Sequence, residues 1–149
     1  MSSTTSLPYR VTDVHIHIQP WRDLKPKVQA AMRAGKEAHW DFLLSLMDDP
    51  KALLEVMDRS GVWRVGLVNY PSPDIMGFDD STNTFAARYA RANPERLIPY
   101  GGVHARFTND PSGDVDRLVD LGIRLVKIPS ASISVPSRCK NCLPKEVIE

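Results

Sequence analysis

Two histidines near the start of the chain have the types and spacing that most clearly predict chemistry. His15 and His17 lie within residues 11–18, a run rich in the β-branched residues typical of strands. Side chains alternate across a strand, so residues two apart share one face and both imidazoles point the same way. Neutral imidazole is a common zinc ligand, at about 2.0–2.1 Å. The spacing predicts part of a metal site, and the alternative is a pair that only satisfies hydrogen bonds within the strand.

A catalytic metal needs more ligands than this pair supplies, because catalytic zinc takes about three protein ligands and an open position for water. Three polar residues follow or end later predicted strands and can reach the same edge: Asn69, His104 and Lys127. For Asn69 we expect a substrate contact, and for Lys127 a surface or anion-binding role. For His104, a role in supporting ligands or substrate and a solvent-facing loop position both stay open.

Cys139 and Cys142 are the chain's only cysteines and form a C-x-x-C pair near the C-terminus. A structural zinc site needs two such pairs or added histidines. A thioredoxin-like motif opens a helix after a strand, whereas this pair lies among proline, serine and lysine residues. We therefore assign the two cysteines no function.

The elements that must position the histidines alternate between strand and helix patterns. Four apolar, β-branched segments predict strands at residues 11–18, 62–69, 97–104 and 123–128. Residues 22–47 read as a helical insertion after the first strand, broken at Gly35. A further helix begins after Asp49, a good N-cap, and ends at Gly61. This strict alternation predicts an α/β fold with a parallel sheet and right-handed crossovers.

Composition indicates one ordinary globular domain. The chain has 149 residues, of which 42% are hydrophobic and 25% charged, and its net charge is +1. That balance carries no signature of nucleic-acid or anionic-membrane binding. No apolar run reaches the roughly 20 residues of a membrane helix, and the first residues lack the pattern of a secretory signal. We therefore expect a cytoplasmic protein with no membrane or nucleic-acid partner.

Several motifs resemble the amidohydrolase superfamily, in particular the amidohydrolase-related branch that includes aromatic-acid decarboxylases and lactone or amide hydrolases. The similarity covers about residues 10–130. The matching residues are Asp13-Val14-His15-Ile16-His17, the helix and strand within 53–68, Asn93-Pro94-Glu95-Arg96 followed by Gly101-Gly102, and the strand within 122–128. An H-x-H motif is also found at the start of polymerase-type phosphoesterase domains, so the motif by itself does not single out one family. A trinuclear site of that kind is disfavoured here, because the chain has only four histidines.

The resemblance implies a (β/α)8 TIM-type barrel, truncated here to about four β/α units with the helical insertion after strand one. It also implies one divalent metal, zinc or sometimes manganese, with His15 and His17 as two of its ligands. The domain organisation is then a flexible N-terminus over 1–10, a half-barrel over 11–128 and an irregular tail over 129–149. The family's histidine on strand five and aspartate on strand eight have no counterpart in this chain, so the catalytic residues are unassigned.

Two interpretations of function follow from these patterns. In the first, the chain is a metal-dependent hydrolase or decarboxylase that acts on a carboxylate, lactone or amide and is incomplete on its own. In the second, it is a non-catalytic half-barrel that is stable only as a homo-oligomer, because four parallel strands leave two open edges.

Overall fold

The computed structural model describes residues 9–128, so the cysteine pair lies outside the described residues. Four strands form one parallel sheet in the order β1-β2-β3-β4, and the sheet curls into a half-barrel. Their bounds are Val11–Ile16 for β1, Val62–Leu67 for β2, Leu97–Gly102 for β3 and Leu125–Lys127 for β4. The predicted α/β class with a parallel sheet is confirmed.

The described part of the chain also has five α-helices. They are α1 (Pro26–Arg33), α2 (Trp40–Asp48), α3 (Pro50–Ser60), α4 (Ser81–Ala90) and α5 (Pro111–Asp120), with 3-10 turns at Trp21–Asp23 and Glu37–His39. Within residues 9–128, none of these helices has the length and apolar character needed to cross a membrane.

Both ends of α3 have the structure that the sequence predicts. The Asp49 carboxylate accepts a hydrogen bond from the Lys51 backbone N–H at 2.9 Å, which satisfies one of the free donors at the helix start. Gly61 ends the helix with φ of 70°, in the left-handed region that a side chain disfavours. Because β2 begins at the next residue, this turn fixes where the strand enters the sheet.

The main hydrophobic core lies between the sheet and the helices. Leu67 and Leu97 are fully buried on the helix-facing side of β2 and β3. The insertion belongs to the same core, since Trp21 and Trp40 stack with ring centroids 5.5 Å apart. The insertion also breaks at Gly35, as predicted, where φ is 76°. The region that separates β1 from α3 is therefore an integral part of the packed structure.

The strands are shorter than the sequence pattern predicts, chiefly at their C-terminal ends. β3 stops at Gly102, where it pairs with Lys127, so His104 lies in the following loop. β4 has three residues, because it is an edge strand whose one neighbour in the described sheet ends there. His17 follows β1 directly, and Asn69 is the second residue after β2. His17, Asn69 and His104 therefore lie in the segments that leave the strands, whereas His15 and Lys127 lie within β1 and β4.

Candidate metal centre

The two strand histidines lie on the concave side of the sheet. Ile16 and Ile18 pack into the core shared with the helices. His17 lies between them in sequence and points to the opposite side. His15 accompanies it: the two Nε2 atoms are 3.1 Å apart, and the ring centroids are 5.0 Å apart. Both side chains are exposed. The predicted shared face of the pair is thus present in the structure.

The separation of the two Nε2 atoms fits two positions on one metal ion. With metal–nitrogen bonds of about 2.0–2.1 Å, adjacent ligands of a tetrahedral zinc are about 3.3 Å apart. The observed 3.1 Å is within a few tenths of an ångström of that value, and it is also the length of a hydrogen bond between the two rings. Between residues 9 and 128, however, no group of three or more histidine, cysteine, aspartate or glutamate side chains is placed to hold a metal. The pair is a partial ligand set.

The environment of His17 favours the form that binds metals. Partial burial is the largest cause that lowers the pKa of His17, followed by the charges of His15 and Lys127, while the Val68 backbone acts in the opposite direction. A lowered pKa keeps the imidazole neutral, and only the neutral ring has a lone pair to donate. The Tyr70 ring meets His17 edge-on at 6.0 Å between centroids and covers one side of it.

Lys127 lies on the last strand of the curled sheet, and its charge acts on His17. The two residues belong to the first and the last strand, which are separated by two others in the sheet order. Even so, the Lys127 charge is close enough to lower the pKa of His17. A cationic side chain whose charge reaches His17 suits an anionic group of a ligand. This geometry agrees with an anion-binding role, which no observation yet tests.

Asn69 follows β2 but is fully buried. Its Nδ2 donates to the Thr82 carbonyl at 2.5 Å, at the beginning of α4, and its Oδ1 has no hydrogen-bond partner within residues 9–128. The side chain therefore ties the end of β2 to a helix. The predicted substrate contact of Asn69 stays a prediction.

His104 is buried in the loop after β3 and helps to hold that loop. Its Nδ1 accepts from the Arg106 backbone N–H at 3.3 Å, and its Nε2 lies 4.0 Å from Asp74 Oδ1. Arg106 reaches the same carboxylate at 3.3 Å. His104 lines a cleft of about 400 Å³ together with Phe107 and several carboxylates, and neither strand histidine lines it. The structure thus places His104 in a different pocket from the histidine pair.

Asn83 is a positioning residue that the sequence did not single out. Its Nδ2 donates to the Gly102 carbonyl at 3.0 Å, and its Oδ1 accepts from the Gly102 N–H at 2.9 Å. This two-point contact fixes the last residue of β3, the strand beside Lys127. The sequence alone does not indicate this role, because an asparagine in a predicted helix looks like any polar position until the fold shows that it is buried.

Gly66 sets the distance between β1 and β2. A Cβ at this position would lie 2.5 Å from the Val14 carbonyl oxygen and 3.2 Å from the Tyr100 ring. Only a glycine allows the strand that carries the histidines to approach so closely. The histidine pair therefore depends on a residue that is not in contact with it.

Comparison with known proteins returns no match: no family model fits the chain, and neither the curated proteins nor the solved structures provide a similar one.

Proposed function

We propose that this chain is part of a metal-dependent hydrolase or decarboxylase of the amidohydrolase type, built on a (β/α)8 barrel of which it supplies about half. The observation that supports the proposal most directly is the 3.1 Å separation of the His15 and His17 Nε2 atoms. The pair lies at the carboxyl end of a strand in a parallel sheet, which is where enzymes with β/α barrels hold their active sites. The expected cytoplasmic location is part of the same proposal.

His15 and His17 would hold a divalent ion, with zinc as the first choice and manganese as the second. When bound, such an ion lowers the pKa of a water ligand towards about 7 and polarises a substrate oxygen. The chain's own contribution is to supply two imidazole nitrogen donors, of which His17 has a lowered pKa, and to place Tyr70 edge-on against the His17 ring. With two ligands in the described residues, the remaining ligands and the proton-transfer groups must come from elsewhere.

Lys127 gives the proposal a substrate preference. Its charge acts on His17, so a carboxylate substrate would find a counter-charge on the same side of the site. Lactones and amides lack that charge and would depend on the metal alone for orientation. We therefore place carboxylates ahead of lactones and amides as the substrate class.

Zinc binding by the 149-residue chain tests the proposal. A competition titration against a chromophoric chelator would compare the wild type with His15→Ala, His17→Ala and His39→Ala. His39 is exposed on the insertion and serves as the matched control. We expect both strand variants to lose more than the roughly 10–100-fold typical of outer-shell substitutions, with His39→Ala unchanged. Equal affinities in all four proteins would refute the ligand assignment.

Carboxylate recognition is tested separately with zinc-loaded protein and benzoate as the probe. Chemical-shift titration is expected to show weaker benzoate binding in Lys127→Gln than in wild type, with zinc affinity retained. Equal benzoate binding in the two proteins would remove Lys127 from the proposed site.

A second candidate is a non-catalytic half-barrel that is stable only as an oligomer. It is favoured by the exposure of apolar residues along β4, where Leu125 and Val126 are 41% and 44% exposed. Strands in parallel sheets are ordinarily covered on both faces. Sedimentation of the metal-free chain tests this candidate: a folded monomer across the accessible concentrations would contradict it.

A further inference from the structure

We infer that two copies of this chain close one barrel and that the histidine pairs of both copies share a single divalent metal on the axis between them. The inference rests on the proposed metal site at His15 and His17. It adds the partner, the stoichiometry and the source of the missing ligands.

The first step is the geometry of the edges. β1 and β4 form the two edges of the described sheet, and all four strands run parallel. A twofold axis along the axis of the half-barrel keeps the strands of both copies parallel. It also places β4 of each copy beside β1 of the other. Twofold dimers are the commonest closed assemblies, and closure is the arrangement that removes both edges. Four strands from each copy give the eight of a closed β/α barrel.

The second step is the character of those edges. Val14 on β1 is 63% exposed, and Leu125, Val126 and Ile128 in and after β4 are 41%, 44% and 56% exposed. Neighbouring residues of β4 point to opposite faces, so the strand lacks cover on both sides. Exposed apolar residues that cluster along a strand edge are typical of an interaction surface.

The charges at the two edges are complementary. β1 presents the exposed carboxylate of Asp13, and the exposed guanidinium of Arg124 immediately precedes β4. Both residues lie towards the beginnings of their strands, so a parallel pairing of β4 with β1 of a second copy brings opposite charges to the same end. Complementary charge favours this register over a slipped one.

The third step is the position of the histidines. Each pair projects from the concave side at the carboxyl end of β1. In the closed assembly the two β1 strands occupy opposite walls at the same end. The interior of an eight-stranded barrel is just wide enough for side chains to fill it, so residues from opposite walls meet. Two Nε2 donors from each copy then make four, which covers the three protein ligands that a catalytic zinc takes and leaves a further position open for water.

The test is zinc stoichiometry together with association state, measured by sedimentation with metal analysis across a zinc titration. We expect one zinc per two chains. We also expect the dimer dissociation constant to fall about 100-fold when free zinc is about 100 times its own dissociation constant. The double variant His15→Ala/His17→Ala is expected to lose the zinc-dependent tightening.

Edge variants separate the interface from the metal. Val126→Asp adds a charge to β4 without adding a ligand on the histidine face, and Ile75→Asp is the matched exposed control at 62% exposure. Val126→Asp is expected to prevent dimerisation and weaken zinc binding, and Ile75→Asp is expected to do neither. One zinc per chain on a monomer would overturn the shared site and leave the proposed function intact. Zinc binding that is independent of His15 and His17 would overturn both.

Discussion

Replacement of Asn83 by alanine is expected to destabilise the protein by about 2–4 kcal/mol, because it removes both partners of a buried residue at the end of β3. The Asn83 side chain is 5% exposed and makes two hydrogen bonds to the Gly102 backbone, at 2.9 and 3.0 Å. Each buried group left without a partner costs about 1–3 kcal/mol, so two groups cost about 2–6 kcal/mol. Water that enters the vacated space recovers part of that cost, which gives the lower range.

Urea unfolding measures this effect. With a slope of about 2 kcal/mol per molar urea, the midpoint is expected to fall by roughly 1–2 M with the slope unchanged. Asn83→Asp keeps the acceptor for the Gly102 N–H but turns an oxygen towards the Gly102 carbonyl, so it is expected to be at least as destabilising at neutral pH. Thr84→Ala, an exposed change on the same helix, should stay within about 0.5 kcal/mol of wild type. A midpoint for Asn83→Ala equal to that of Thr84→Ala would refute the stabilising role of the two Asn83 hydrogen bonds to Gly102.

Three further predictions concern the elements that hold the site. Gly66→Ala is expected to lower the free energy of unfolding in urea by about 1–3 kcal/mol and to weaken zinc binding, because the new Cβ would lie 2.5 Å from the Val14 carbonyl oxygen. A Gly66→Ala protein as stable as wild type would contradict the close approach of β1 and β2. Burial raises the pKa of Tyr89, so above about pH 10 the unfolded state loses the Tyr89 proton while the folded state keeps it, and the free energy of unfolding falls as the pH rises. Tyr89→Phe should flatten this pH dependence. The same dependence in wild type and Tyr89→Phe would contradict the role of Tyr89. Arg96→Lys is expected to lower the free energy of unfolding by about 1–3 kcal/mol. The Arg96 side chain is 12% exposed, donates to two backbone carbonyls and pairs with a carboxylate at 2.7 Å. A loss below about 0.5 kcal/mol, as for an ordinary surface substitution, would contradict this role.

Much of the fold follows from local signals in the sequence. Asp49 and Gly61 bound α3 as predicted, because capping depends on a few neighbouring residues. The parallel order of the strands follows from the alternation of β and α segments. Strand ends were predicted less well: β3 stops at Gly102 and not at His104, because pairing with a neighbour, and not apolar character, decides where a strand ends.

In the candidate site too, some features were predictable from the sequence and others depended on the fold. The shared face of His15 and His17 was predictable from a period of two. The burial of Asn69 and the separate pocket of His104 were not, since both depend on which loop or helix covers a strand end. The Asn83 contact with Gly102 joins residues 19 positions apart, and no local pattern records it.

The most direct test of the central claim is nitrogen NMR of the histidine rings in the 149-residue chain during addition of zinc. If His15 and His17 bind the ion through the atoms that lie 3.1 Å apart, both Nε2 resonances should move to the range of metal-bound nitrogen together. His39 and His104 should keep their signals, since one is exposed on the insertion and the other is held in a separate cleft. Zinc-induced shifts confined to other histidines, or none at either strand Nε2, would contradict the account.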